Sequence, residues 1–206
     1  MYWVLSGTIG AGKSTIAERL AKERGVQVFR ESVADNFMLP LFYQDMQKHA
    51  FALEMHLLTL RERQQHAISW SSSGAVQDRS IYEDKVFVNM LHKAGLLSAE
   101  EYRVYCEAYE DVMKRINHPT LIVHLDVEPA VALQRIRDRG REFEQGITLD
   151  YMKALQEEYE EFVQEISRTI PVIRVPWNDF HTAEQVTKAV LVEYDKSHNV
   201  RTVSFE

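Results

Sequence analysis

The feature that most constrains this chain is a short apolar run, Tyr2–Leu5, that leads into Gly7, Thr8, Ile9, Gly10, Ala11, Gly12, Lys13 and Ser14. A helix-period segment beginning at Lys13 follows, with Thr15 in its first turn. These residues satisfy G-x-x-x-x-G-K-[ST] in the strand–loop–helix setting that gives the pattern its physical meaning. Glycines let backbone N–H groups turn inward onto phosphate oxygens, and the helix N-terminus adds its partial positive charge. Lys13 supplies a cation for the β- and γ-phosphates, and the Ser14 hydroxyl suits the Mg²⁺ shell. A glycine turn with a purely structural purpose has no need of the lysine and hydroxyl together. The loop implies binding of a nucleoside triphosphate and leaves the reaction open.

Short apolar runs alternate with longer helical patterns along the rest of the chain, which predicts a parallel sheet wrapped on both faces by helices. The strand candidates are Tyr2–Ser6, Val26–Arg30, Gly74–Asp78, Thr120–Asp126 and Pro171–Val175. Helices are predicted over Lys13–Arg24, Lys48–Trp70, Ile81–Lys93, Ser98–Ile116, Glu128–Arg139, Leu149–Arg168 and Thr182–Tyr194. Ser98 and Glu101 have capping-box spacing, and Gly140 suits a helix C-terminus. The expected fold is therefore α/β, a P-loop kinase fold with a five-stranded parallel sheet, doubly wound, in one domain over residues 1–206. A net charge of −7 argues against nucleic acid as a partner, because an acidic surface repels phosphate backbones. Cys106 is the only cysteine, so no intramolecular disulfide forms and a cytoplasmic setting is expected. Tyr2–Leu5 is too short to be a signal peptide or membrane helix, so no membrane partner is expected either.

Three further groups of residues bear on the reaction. A guanine-reading Asn-Lys-x-Asp motif is absent, which argues against a switch GTPase. Arg135, Arg137, Arg139 and Arg141 fall within seven residues of an acidic chain. A basic helix end explains one or two of them by the macrodipole, whereas four suit a lid, about residues 135–147, that closes over transferring phosphates. Asp78 and Arg79 end one strand candidate and Glu31 follows another, so all three reach the C-terminal edge where parallel sheets place their sites. Asp78 can join Ser14 in the Mg²⁺ shell, Arg79 can organise phosphates, and Glu31 can act as general base.

In their order along the chain, these residues resemble the deoxynucleoside kinase family, and its bacterial deoxyadenosine/deoxyguanosine kinase branch in particular. The residues that carry the likeness are Glu31-Ser-Val-Ala-Asp-Asn36, Leu41-Phe-Tyr43, Asp78-Arg-Ser-Ile-Tyr-Glu-Asp84, Arg139-Gly-Arg141 and Glu144-Gln-Gly-Ile147. The resemblance implies ATP and Mg²⁺, a deoxynucleoside acceptor and a homodimer through the long helices. It implies Glu31 as the base for the 5′-hydroxyl, and Lys13, Arg79, Arg139 and Arg141 as the cations of the reaction. Tyr43 and Glu144 would hold the sugar 3′-hydroxyl, Arg61 and Asp84 would face the base, and Arg135, Asp179 and Phe180 would meet the donor nucleotide. Ser32 stands where many members have proline, Asp78 where animal relatives have glutamate, Val88 where the pocket often has phenylalanine, and Glu54 where many members have glutamine.

Glu54 bears on the choice of base. It lies seven residues, two helical turns, before Arg61, so both can face one pocket. An ionised carboxylate offers only acceptors and matches the N1–H and 2-amino donors of guanine, with Arg61 donating to O6 or N7. Deoxyguanosine is therefore the expected acceptor. The alternatives are a Glu54–Arg61 pair, a protonated Glu54 that serves adenine, or a broad deoxynucleoside kinase. A nucleoside monophosphate kinase would need cations for the acceptor's phosphate, and Phe37–Leu60 offers few. A nucleotide-binding module without turnover would not need base, metal ligand and lid arginines together.

Overall fold

Alternate residues of an extended strand point to opposite faces, so a strand that is apolar at every position is buried on both. The run Tyr2–Leu5 has that composition, and in the computed structural model, which describes residues 1–31, 36–178 and 182–197, it makes up all but the last residue of β1 (Tyr2–Ser6), at the centre of a parallel sheet. The other strands are β2 (Gln27–Phe29), β3 (Ala75–Asp78), β4 (Leu121–Asp126) and β5 (Val172–Pro176). Their order is β2-β3-β1-β4-β5, five strands in one sheet. Leu5 pairs with Asp78 on one side of β1 and with Val123 on the other.

The two faces of β1 build two cores. Tyr2 and Val4 pack with Ile122 of β4 under α3 (Met46–Ser69), α4 (Asp84–Lys93), α5 (Ala99–Met113) and α7 (Leu149–Ile166). Trp3 and Leu5 pack with Val123 on the opposite face, under α1 (Lys13–Arg24), α6 (Pro129–Arg139) and α8 (Ala183–Ser197). Each fully buried large side chain such as Ile16 or Leu91 contributes roughly 1.5–3 kcal/mol. Among the described residues no helix is long and apolar enough to cross a membrane.

The predicted elements form, with three corrections. A helix the sequence pattern did not indicate, α2 (Met38–Gln44), precedes α3; Pro40 is accommodated because it falls in the first turn, where backbone N–H groups have no helical partner. The helix expected from Lys48 begins at Met46, because the Asp45 side chain caps it by accepting from the Lys48 N–H at 3.1 Å. The helix expected from Ile81 opens instead as a 3-10 turn over Ile81–Glu83 before α4. Ser98 and Glu101 form the capping box, and Gly140 ends α6 at a φ of 73°.

Candidate active site

Strands β1, β2 and β3 run in one direction, so the segments that leave their C-terminal ends converge on one edge. The glycine loop leaves β1, Glu31 follows β2, and Asp78 and Arg79 end β3. In the loop, a Cβ on Gly10 would lie 2.5 Å from the Ala132 carbonyl oxygen of α6, at a φ of 79° that side chains rarely adopt. Glycine is the residue that fits there. Lys13 folds back on the loop, donating from Nζ to the carbonyls of Gly7 at 3.0 Å and Thr8 at 2.9 Å. Burial, and then the Arg79 charge, lower its pKa to about 8.

Asp78 accepts a hydrogen bond from Ser14 Oγ at 2.5 Å through Oδ2, while its Oδ1 is buried without a partner. One carboxylate with an unused oxygen beside a hydroxyl fits Mg²⁺, which takes few protein ligands and completes its shell with phosphate oxygens and water. Among the described residues no cluster of three acidic, histidine or cysteine side chains forms a self-contained metal cage. Arg79 occupies the left-handed region at φ 62°, a conformation that costs a non-glycine residue about 1–3 kcal/mol. Its N–H donates to the Leu5 carbonyl at 3.0 Å, and its guanidinium meets Glu31 at 2.9 Å through Nε and the Tyr159 hydroxyl at 2.5 Å through Nη1. Phe87 lies under the guanidinium, 4.8 Å from ring centroid to Cζ.

Behind these groups stands a residue that sequence patterning passed over. Glu83 is fully buried and accepts hydrogen bonds from the Gly7 N–H at 3.2 Å, the Ser80 N–H at 3.2 Å and the Tyr159 hydroxyl at 2.8 Å. One carboxylate thus ties the first residue of the phosphate loop to the turn that holds Arg79. Its presence in the Asp78–Asp84 run was the available signal. Tyr159, which lies 80 residues beyond Arg79, had none.

A cavity of about 480 Å³ opens over this edge. Lys13, Ser14, Glu31 and Arg79 line it beside the loop, Tyr43, Glu54, Arg61 and Tyr151 line the remainder of the wall, and Arg135, Arg139, Arg141 and Glu144 also reach it. Glu31 is bound by two arginines, Arg79 and Arg61, at 2.9 Å each. Burial alone would raise its carboxyl, but Arg79, Arg61 and Lys13 outweigh that and hold it at about 2. Arg61 also contacts Asp84, which is fully buried and does not line the cavity. Nη1 and Nη2 of Arg61 thus each meet a carboxylate, and no ion pair joins Arg61 to Glu54. Val88 is buried in the core and does not line the cavity, whereas its neighbour Phe87 does.

Glu144 gathers Arg139 at 2.6 Å and Arg141 at 3.1 Å, so the arginine-rich segment folds as one ionic cluster. Tyr43 stacks on Phe143 of the same segment with centroids 6.0 Å apart, and burial, then Glu144, raise its phenol well above its usual value. Arg135 turns to the Trp177 carbonyl at 2.7 Å. Asp179 and Phe180, expected at the donor nucleotide, lie outside the described residues.

Known proteins resemble this chain in sequence and fold. A model of the deoxynucleoside kinase family matches residues 3–198. The deoxyadenosine kinase of Dictyostelium discoideum is 44% identical over 191 residues, 93% of this chain and 78% of that protein. A deoxyguanosine kinase of Lactobacillus johnsonii is 39% identical over 166 residues, 78% of this chain and 72% of its own. Among solved structures, a deoxyadenosine kinase from M. mycoides with dCMP and dCDP superposes with a TM-score of 0.87 at 26% identity, covering 95% of this chain and 100% of that one. A family model that matches nearly the whole sequence, together with these relatives, establishes that this chain belongs to the deoxynucleoside kinase family.

Proposed function

We propose that the chain transfers the γ-phosphoryl group of ATP to the 5′-hydroxyl of a purine deoxynucleoside. The observation that carries this reading is one cavity lined by both the phosphate loop and the buried Glu54, with Glu31 and Arg79 also on its wall. Phosphoryl transfer passes through a loose transition state, so positioning and charge matter more than base strength. Glu31, ionised and fixed between two arginines, suits that demand: it orients the 5′-hydroxyl and takes its proton. Ser14 and Asp78 would hold Mg²⁺, whose charge neutralises the β- and γ-phosphate oxygens. Arg139 and Arg141 supply cations over the transferring group, and Tyr43 and Glu144 take the 3′-hydroxyl. Arg135 belongs to the donor side.

The preference for deoxyguanosine presupposes an ionised Glu54. Burial, and then Asp84, push that carboxyl up to about 8, which favours its neutral form. A neutral carboxyl donates to adenine N1 and accepts from its 6-amino group, or donates to guanine O6 and accepts from N1–H, so both purine deoxynucleosides fit as acceptors. A homodimer through the long helices and a cytoplasmic setting complete the reading.

The test is ADP release with Mg²⁺ and ATP against deoxyadenosine, deoxyguanosine, deoxycytidine, adenosine, a 2′,3′-dideoxynucleoside and dAMP. Higher kcat/KM for purine deoxynucleosides than for deoxycytidine, adenosine and the dideoxy analogue is the expected result. Preferential turnover of dAMP would point to a nucleoside monophosphate kinase and refute this assignment.

A further inference from the structure

We propose that Tyr159 is a positioning residue for phosphoryl transfer: its hydroxyl bridges Arg79 to a second carboxylate, Glu83, and so leaves the Arg79 guanidinium on Glu31. This rests on the reading above in which Glu31 takes the 5′-hydroxyl proton. Tyr159 is fully buried on α7, with its ring edge-on to Phe87 and to Phe162 at 6.3 Å between centroids in each case. Phenylalanine would fill that space equally well, so packing does not account for the hydroxyl. Its oxygen accepts from Arg79 Nη1 at 2.5 Å, and its O–H donates to Glu83 Oε2 at 2.8 Å.

Arg79 thus has two carboxylates within reach. Its Nε meets Glu31 at 2.9 Å, while its Nη1 stands 3.7 Å from Glu83 Oε2, too far for a direct hydrogen bond. Arg79 and Glu83 are both buried, so water does little to weaken their attraction. The phenol satisfies both atoms at that separation. Without it, Nη1 loses its hydrogen bond, and a buried charged group left short of a partner is costly. Glu83 is the nearest replacement, and it is the less free to move, because the N–H groups of Gly7 and Ser80 each hold it at 3.2 Å. Closing from 3.7 Å to the roughly 2.8 Å of a charge-assisted hydrogen bond therefore shifts the guanidinium by about 1 Å.

The guanidinium is a rigid plane, so Nε moves with Nη1 and its bond to Glu31 is stretched. Burial pushes the Glu31 carboxyl up, and Arg79 is the largest of the charges that outweigh it. Arg61 keeps its own contact with Glu31 at 2.9 Å, so the base remains on the cavity wall. What changes is its aim at the 5′-hydroxyl and the place of Arg79 beside the phosphates. Such a fault is felt in the chemical step more than in the binding of either substrate.

The test is Tyr159→Phe, made alone and together with Glu83→Gln, with kcat and both KM values measured in each. Tyr159→Phe should still melt cooperatively and keep KM for ATP and for the nucleoside within about threefold of wild type, while kcat falls by about 10- to 100-fold, as a misplacement of this size predicts. Glu83→Gln removes the competing charge, so in the double variant Arg79 has no second carboxylate to turn to. There kcat should recover to within about threefold of that in Glu83→Gln alone. A hydroxyl that served stability only would give losses that multiply. Unchanged kcat in Tyr159→Phe, multiplying losses in the double variant, rises in both KM values as large as the fall in kcat, or an unfolded Tyr159→Phe each overturn the proposal and leave the kinase reading standing. A wild-type enzyme that turns over no deoxynucleoside, or normal kcat in Glu31→Gln, removes the reading on which it rests.

Discussion

Two carboxylates, one on the cavity wall and one behind it, have different partners, and each yields a measurable expectation. Glu31 is held ionised by Arg79 and Arg61, so Glu31→Gln keeps its size and removes proton acceptance. The expected result is a fall in kcat of about 10²–10⁴ with little change in ATP affinity; near-normal turnover would take Glu31 out of the mechanism. Glu83 touches no cavity surface and works through others, accepting from Gly7, Ser80 and Tyr159. In Glu83→Gln an amide N–H₂ replaces one acceptor, so a buried backbone donor loses its partner at a cost of about 1–3 kcal/mol. Because one of those donors begins the phosphate loop, KM for ATP should rise more than KM for the nucleoside. Equal changes in both KM values, or a loss of stability alone, would make Glu83 a plain packing residue.

At the scale of elements, the strands and the phosphate-loop helix were legible because their signals are local: apolar runs for β1 and β4, a complete glycine motif for α1. Helix α2 was not. Phe37–Tyr43 is apolar almost throughout and contains Pro40, so it shows no helical period, and its helicity depends on packing against α3. That missed element brings Leu39, Phe42 and Tyr43 to the cavity wall. The β1–β4 pair carries a testable property as well. Ser6 and His124 are register partners, with Oγ and Nδ1 3.1 Å apart. Burial lowers the His124 pKa from 6.5 to about 4. A depressed histidine pKa means the unfolded chain binds the proton more readily, so the stability this group contributes is full above pH 6.5 and lost on falling toward pH 4. Urea midpoints should therefore drop more steeply over that window in wild type than in His124→Gln. Parallel curves would show that His124 stays protonated or partly solvated.

For the whole molecule, the expectation concerns how ligand and fold are coupled. Lys13 is buried, donates only to backbone carbonyls, and is held in a setting that disfavours its charge. Lys13→Ala should leave the ligand-free Tm within about 3 °C of wild type, yet abolish the rise in Tm that Mg²⁺ and ATP produce by binding the native state. A large fall in the ligand-free Tm would instead make Lys13 a structural residue. The sequence by itself determined the parallel α/β architecture, the phosphate loop and the identity of most cavity-lining side chains, because periodicity, glycine chemistry and motif spacing act over neighbouring residues. Only the tertiary structure decided who pairs with whom. It divided Arg61 between Asp84 and Glu31, joined Glu83 to Gly7 and Tyr159, set Phe87 rather than Val88 on the wall, and left Glu54 without a cation. Those outcomes depend on distances between segments far apart in the chain and on burial, which sets the strength of every charge. Neither quantity exists until the chain has packed.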